Sequence, residues 1–168
     1  ADITLRFDDM KPALLMGGDV TSFVLWAVTR DGTWENLGEL WVRDDDDKID
    51  YSTGLKSFAL MVTAESYPLV PQPSELVMFT SGAADSKYSR SDTFTFSAFA
   101  PAPKTRQDSL ATVTWDTSRA LDLAQAEKAF ELATDEGADD YTPQIYREAE
   151  IALAQARNLG SVKAKGKA

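Results

Sequence analysis

Over residues 1 to about 116, apolar positions fall in short runs, many of them alternating with polar ones and separated by Gly, Pro, Asn, Asp and Ser. Successive side chains of a strand point to opposite faces, so a period of two predicts antiparallel β-structure here. Strands are expected at Ile3 to Phe7, Thr21 to Thr29, Trp34 to Val42, Lys48 to Ser52, Ser57 to Thr63, Glu75 to Thr80, Thr93 to Phe99 and Ala111 to Trp115. Short strands in this number predict an Ig-like antiparallel β-sandwich. Arg30-Asp31-Gly32-Thr33 should turn one long hairpin over Thr21 to Arg43, because Asp-Gly tolerates the positive φ of a tight turn. In that hairpin Phe23, Leu25 and Ala27 alternate with Val24, Trp26 and Val28, and both sets are apolar. A strand of this kind is buried on both faces, and the expected cover for the second face is the helical segment that follows.

Near Arg119 the period lengthens to 3.6, with Leu123, Ala126, Phe130 and Ala133 on one stripe and Gly137 ending the run. Asp116, Thr117 or Ser118 can cap its start. A second helix is expected with Thr142 as N-cap, Pro143 at the first helical position and a stripe of Tyr146, Ala149, Leu153 and Ala156. The short link from Ala138 to Tyr141 makes the two helices antiparallel neighbours. Phe130, Tyr141, Tyr146 and Leu153 are the expected packing residues of this hairpin, because its apolar face is too narrow for a core of its own. The organisation read from the sequence is therefore a sandwich over 1–116, an Ala-rich helical hairpin over 117–160 packed on or beside it, and a flexible basic tail over 161–168. The fold class is mainly β with α (α+β).

Composition changes this picture in three ways. The hydrophobic fraction of 43% allows a real core, so a folded chain is expected. A net charge of −10 argues against nucleic acid, whose binders supply cations to the phosphates. The chain has neither Cys nor His, which removes thiol nucleophiles, the Ser-His-Asp triad and the usual zinc ligands. No run approaches the roughly 20 apolar residues of a membrane helix. The start at Ala1-Asp2-Ile3 fits a processed mature end as well as an engineered boundary.

Candidate chemistry is sparse. Asp44, Asp45, Asp46 and Asp47 place four carboxylates side by side and are weak candidates for Ca²⁺, but calcium loops alternate their ligands around a Gly, and consecutive strand residues point to opposite sides. A solvated turn is the simpler reading of the run. With Lys48 it also matches the enteropeptidase recognition sequence, so native turn and engineered insertion both stay open. Glu35, Glu39, Glu65 and Glu75 are the carboxylates near aromatic strands that a glycoside hydrolase would need as a pair, and their spacing selects no pair. Trp34 and Trp41 could stack on a sugar. Seven positions apart, they would face opposite ways in an uninterrupted strand, which favours packing roles. Gly17-Gly18-Asp19 lacks a following helix and reads as a turn rather than a phosphate loop. No cofactor is implied.

Leu121-Asp122-Leu123-Ala124-Gln125-Ala126-Glu127-Lys128-Ala129, then Gly137-Ala138-Asp139-Asp140-Tyr141-Thr142-Pro143, then Ala152-Leu153-Ala154-Gln155-Ala156-Arg157 resemble a family of uncharacterised bacterial envelope proteins with an Ala-rich helical hairpin and a Gly-Ala-x-x-Tyr-Ala-Pro type turn. Thr142 stands where Ala is usual. The resemblance covers about the last quarter of the chain. It implies a periplasmic or outer-membrane-associated, lipoprotein-like setting, often upstream of an OmpA-like peptidoglycan-binding domain, and no catalytic residues. The expected function is thus a non-catalytic structural or protein-interaction module of the cell envelope, with an envelope protein or cell-wall polymer as partner and no nucleic acid. The alternative is a glycan- or small-ligand-binding sandwich that uses exposed Trp rings.

Overall fold

The computed structural model describes residues 1–8, 10–41, 46–82, 92–106, 110, 113–114 and 120–165. It divides into two compact units, Ala1–Thr112 and Val113–Ala168.

The first unit holds two antiparallel sheets. Strands β1 (Asp2–Asp8) and β4 (Asp46–Ser52) form the smaller one, with Ile3 opposite Tyr51 and Leu5 opposite Ile49. Strands β2 (Ser22–Val28), β3 (Trp34–Glu39), β5 (Ala59–Glu65) and β6 (Val77–Thr80) form the larger, in the order β3-β2-β5-β6. The period-two reading holds where one face is wet: in β1, Ile3, Leu5 and Phe7 are half-buried while Thr4 and Arg6 are exposed. Every residue of β2 is buried, as its doubly apolar pattern requires. Thr29 and Thr33 close the β2–β3 turn, where Gly32 takes a φ of 84°.

One face of the larger sheet presents Phe23, Leu25, Val62 and Ala64 to Leu5, Phe7, Ile49 and Tyr51 of the smaller sheet, so a shared core joins the two layers. The other face presents Val24, Trp26, Val28 and Met61. The residues packed there include Trp34, Ala59, Val70, Phe94, Phe96 and Phe99, all from the first unit itself. Phe96 meets Trp34 edge-on at 6.2 Å and Phe99 at 5.0 Å between ring centroids.

Thr93 to Phe99 corrects the sequence expectation. It forms no strand, although Phe94 and Phe96 are half-buried and Thr93, Thr95 and Ser97 exposed, the alternation of an extended chain. Such a segment needs no ladder to alternate. Just beyond its end, Ala100 donates to the Pro73 carbonyl at 2.8 Å and accepts from Glu75 at 2.9 Å. Of the strand expected at Ala111 to Trp115, Val113 and Thr114 belong to no strand and the rest lies outside the described residues.

Beyond Ala100 the chain docks on the Gly17-Gly18 corner, with Asp19 donating to Lys104 O at 2.8 Å and Arg106 to Met16 O at 3.0 Å. Gly18 has a φ of +62°, and a Cβ there would stand 2.2 Å from Lys104 O. Gly18→Ala is therefore expected to destabilise the first unit by about 2 kcal/mol or more, read as a shift of its urea midpoint.

Between the sheets, the Tyr51 hydroxyl donates to Glu39 O at 2.7 Å. Burial, with a smaller contribution from the Glu39 carboxylate, pushes the Tyr51 phenol up to about 12 from its ordinary 10.0. The fold prefers the neutral phenol, so its contribution is complete below pH 10.0 and is lost as pH rises towards about 12. Urea midpoints measured across this window should fall steeply in the wild type and less steeply in Tyr51→Phe.

The second unit has helices α1 (Leu121–Asp135), α2 (Ala138–Tyr141) and α3 (Pro143–Lys165). Gly137, at φ 78°, ends α1 as expected, and the link expected over Ala138 to Tyr141 is itself one helical turn. Antiparallel packing of α1 and α3 follows from Phe130 on Tyr146, with ring centroids 4.7 Å apart, and from the 2.8 Å bond of Arg157 Nε to Glu127 Oε1. Ala120 is the N-cap of α1 and makes no side-chain cap, while Asp116, Thr117 and Ser118 lie outside the described residues. The Thr142 hydroxyl turns back to donate to Ala138 O at 3.1 Å. Leu153 is buried, but Ala149 and Ala156 of the expected stripe are exposed, and Tyr141 is 84% exposed instead of packed. Among the described residues no helix is long and apolar enough to cross a membrane.

Candidate functional site

The most elaborately supported feature of the first unit is the loop joining β5 to β6, from Ser66 to Ser74. Pro68, Pro71 and Pro73 deny it ladder donors and restrict its backbone, so neighbouring side chains must satisfy and shape it. They do so at both legs and in the middle.

At the base, Thr21 supports the first leg, its N–H donating to Glu65 O at 2.9 Å and its hydroxyl to Ser66 O at 2.8 Å. Glu65 joins this leg to the other. Its Oε1 accepts from the Ser74 N–H at 2.8 Å and from the Thr63 hydroxyl, and Thr63 Oγ1 accepts in turn from Trp26 Nε1 at 2.8 Å. Ser74 also donates through Oγ to Ala64 O at 3.0 Å. Trp26 and Thr63 are wholly inaccessible, Glu65 is 3% exposed and Ser74 1%. Burial pushes the Glu65 carboxyl up from its ordinary value, against the opposing pull of its bonds from Thr63 and Ser74. The loop's two ends are thus tied through one buried carboxyl group.

The middle rests on β3. Asn36 Nδ2 donates to Pro68 O at 2.9 Å and to Val70 O at 3.1 Å, the carbonyls on either side of Leu69. Its own Oδ1 accepts from Gly38 N–H at 2.9 Å, which holds the amide in place. A register shift opposite Leu25 and Trp26 sets this geometry: Trp26 pairs with Asn36 and Leu25 with Gly38, leaving Leu37 as the extra residue of a bulge. Trp34 Nε1 adds a bond to Pro71 O at 2.9 Å. Val70 turns inward onto the second core cluster, while Leu69 projects outward 84% exposed, with Tyr67 beside it at 51%. The chain turns at Pro68-Leu69, so Leu69 stands at the crest.

The residues singled out from the sequence take other places. Trp34 is half-buried and braces the loop from beneath, whereas Trp41, beyond the end of β3, is 40% exposed. Glu35 accepts from the Thr53 hydroxyl and Glu75 is exposed, so of the carboxylates near aromatic strands Glu65 alone is buried. Asp44 and Asp45, and the side chains of Asp46 and Asp47, lie outside the described residues. No group of metal-binding side chains occurs among the described residues. Asn36 and Leu69 were missed. The available signal was an Asn inside an otherwise β-prone strand with Gly two positions on, a combination that fits a bulge better than a regular ladder.

No family model, no curated protein and no solved structure matches the chain.

Proposed function

We propose that the chain is a non-catalytic protein-interaction module of a bacterial cell-envelope protein, and that the loop from Ser66 to Ser74 is its contact surface. One observation carries this reading. An exposed Leu is ordinary on a protein surface, but Leu69 stands on a loop whose flanking carbonyls and both legs are bound by buried or braced side chains. Pre-organisation of this kind removes the ordering cost that an exposed loop otherwise meets on binding, so it favours recognition by a partner. The envelope setting follows from the hairpin resemblance over Leu121 to Arg157.

The test is capture from envelope extract with wild-type and Leu69→Asp chains as parallel baits. A protein retained by the wild type and lost with Leu69→Asp, while both baits show the same thermal transition, supports the reading. Identical retention by the two baits would remove the loop from the interface.

A further inference from the structure

We propose that the Ser66 to Ser74 loop is a substrate-like inhibitory loop for a serine endopeptidase with an apolar primary pocket. Leu69 fills the pocket, and the Leu69–Val70 peptide bond meets the nucleophile. This rests on the reading of the loop as an interaction surface and names the class of its partner. Three features lead to it. The crest residue is apolar and 84% exposed. The carbonyls before and after it, of Pro68 and Val70, are both held from beneath by Asn36, which leaves the Leu69 carbonyl untouched by that amide. The segments on either side of the Leu69–Val70 bond are fastened separately, the first through Thr21 on Ser66 and the second through Glu65 on Ser74.

Such a loop resists being consumed. The endopeptidase serine adds through its hydroxyl oxygen to the Leu69 carbonyl carbon, the C–N bond to Val70 breaks, and the serine proton passes through the enzyme's base to the Val70 amine. In an ordinary substrate that amine diffuses away and water cleaves the ester. Here Asn36 still holds the Val70 carbonyl and Glu65 still holds Ser74, so the amine stays beside the ester, attacks it, restores the C–N bond and returns the proton to serine. No other reactant is needed. Retention of the amine is effective against an enzyme that works through an acyl intermediate, as a serine endopeptidase does.

The experiment incubates the full chain with chymotrypsin, subtilisin and trypsin in turn. It follows residual hydrolysis of a chromogenic peptide and maps cuts by mass spectrometry. The expected result is inhibition of chymotrypsin or subtilisin by equimolar chain, with one slow cut between Leu69 and Val70 and no inhibition of trypsin. Leu69→Lys should move the inhibition to trypsin. Asn36→Ala should keep the thermal transition of a folded chain and speed the cut by at least about tenfold, since the bonds to the Pro68 and Val70 carbonyls are both lost. Failure of the folded wild type to inhibit either chymotrypsin or subtilisin, or rapid cutting at Leu69–Val70, overturns the proposal, as does a Leu69→Lys chain that leaves trypsin untouched. If that happens while capture from envelope extract still depends on Leu69, the inhibitory role falls and the interaction module stands. Loss of both removes the module reading as well.

Discussion

Trp26→Ala is expected to be the most destabilising single substitution in the first unit, at about 3–5 kcal/mol. The indole is wholly buried in the centre of β2, on the face covered by Val70, Phe94, Phe96 and Phe99. Its removal opens a cavity beneath Val70, Phe94, Phe96 and Phe99, which lie outside the strands. It also takes from Thr63 the N–H that its hydroxyl accepts. For a unit of this size the loss corresponds to a fall in Tm on the order of 15–20 °C, measured on the near-ultraviolet transition. Trp26→Phe retains most of the packing and loses the bond, so it should cost far less. If alanine and phenylalanine variants melted together, the hydrogen bond rather than the cavity would carry the effect.

The second large effect is expected at Glu65. Glu65→Ala strands the Ser74 N–H and the Thr63 hydroxyl in a buried site, and each unmet donor costs about 1–3 kcal/mol. A total loss of about 2–6 kcal/mol follows, and loosening of the loop legs should accompany it as faster amide exchange at Ser74. Glu65→Gln keeps an acceptor oxygen and should cost much less. The two variants also separate packing from charge. Because burial raises the folded carboxyl above its unfolded value, the protonated form is the one the fold favours. Its contribution is complete below the unfolded value and declines as pH rises through the folded one, so wild-type urea midpoints should drop over that interval. The drop should vanish in Glu65→Gln. A wild-type profile that rises instead would mean that the bonds from Thr63 and Ser74 outweigh burial.

These expectations concern residues that sequence reading treated very differently. Trp26 was legible as core because β2 is apolar on both faces. Glu65 was visible only as one of several carboxylates near aromatic strands, since nothing in linear spacing shows that a loop nine residues on will fold back upon it. Asn36 was invisible as a brace, because its partners Pro68 and Val70 are more than thirty positions away. Thr93 to Phe99 misled for a physical reason: alternation records that side chains point in and out, and an extended segment lying on a sheet satisfies it as well as a hydrogen-bonded strand. In α3, Pro143 marked the start correctly, yet Ala149 and Ala156 proved exposed, because small side chains fit a buried stripe and a wet one alike.

By itself, then, the sequence determined what local physics can decide. The period of two set β1 and β4, short apolar runs set β2 and β5, the Asp-Gly pair set the β2–β3 turn, and Gly137 with Pro143 set the break between the helices. Each of these depends on a residue and its immediate neighbours, whose sterics and hydrogen bonds are already present in the chain. Only the tertiary structure decided which aromatic residues cover Trp26, which carboxylate is buried, and that Leu69 stands on a braced crest. Those outcomes depend on pairings between distant segments, in which a bulge at Leu37 aims one amide and the carbonyls of a proline-rich loop are met by whatever the fold brings beneath them.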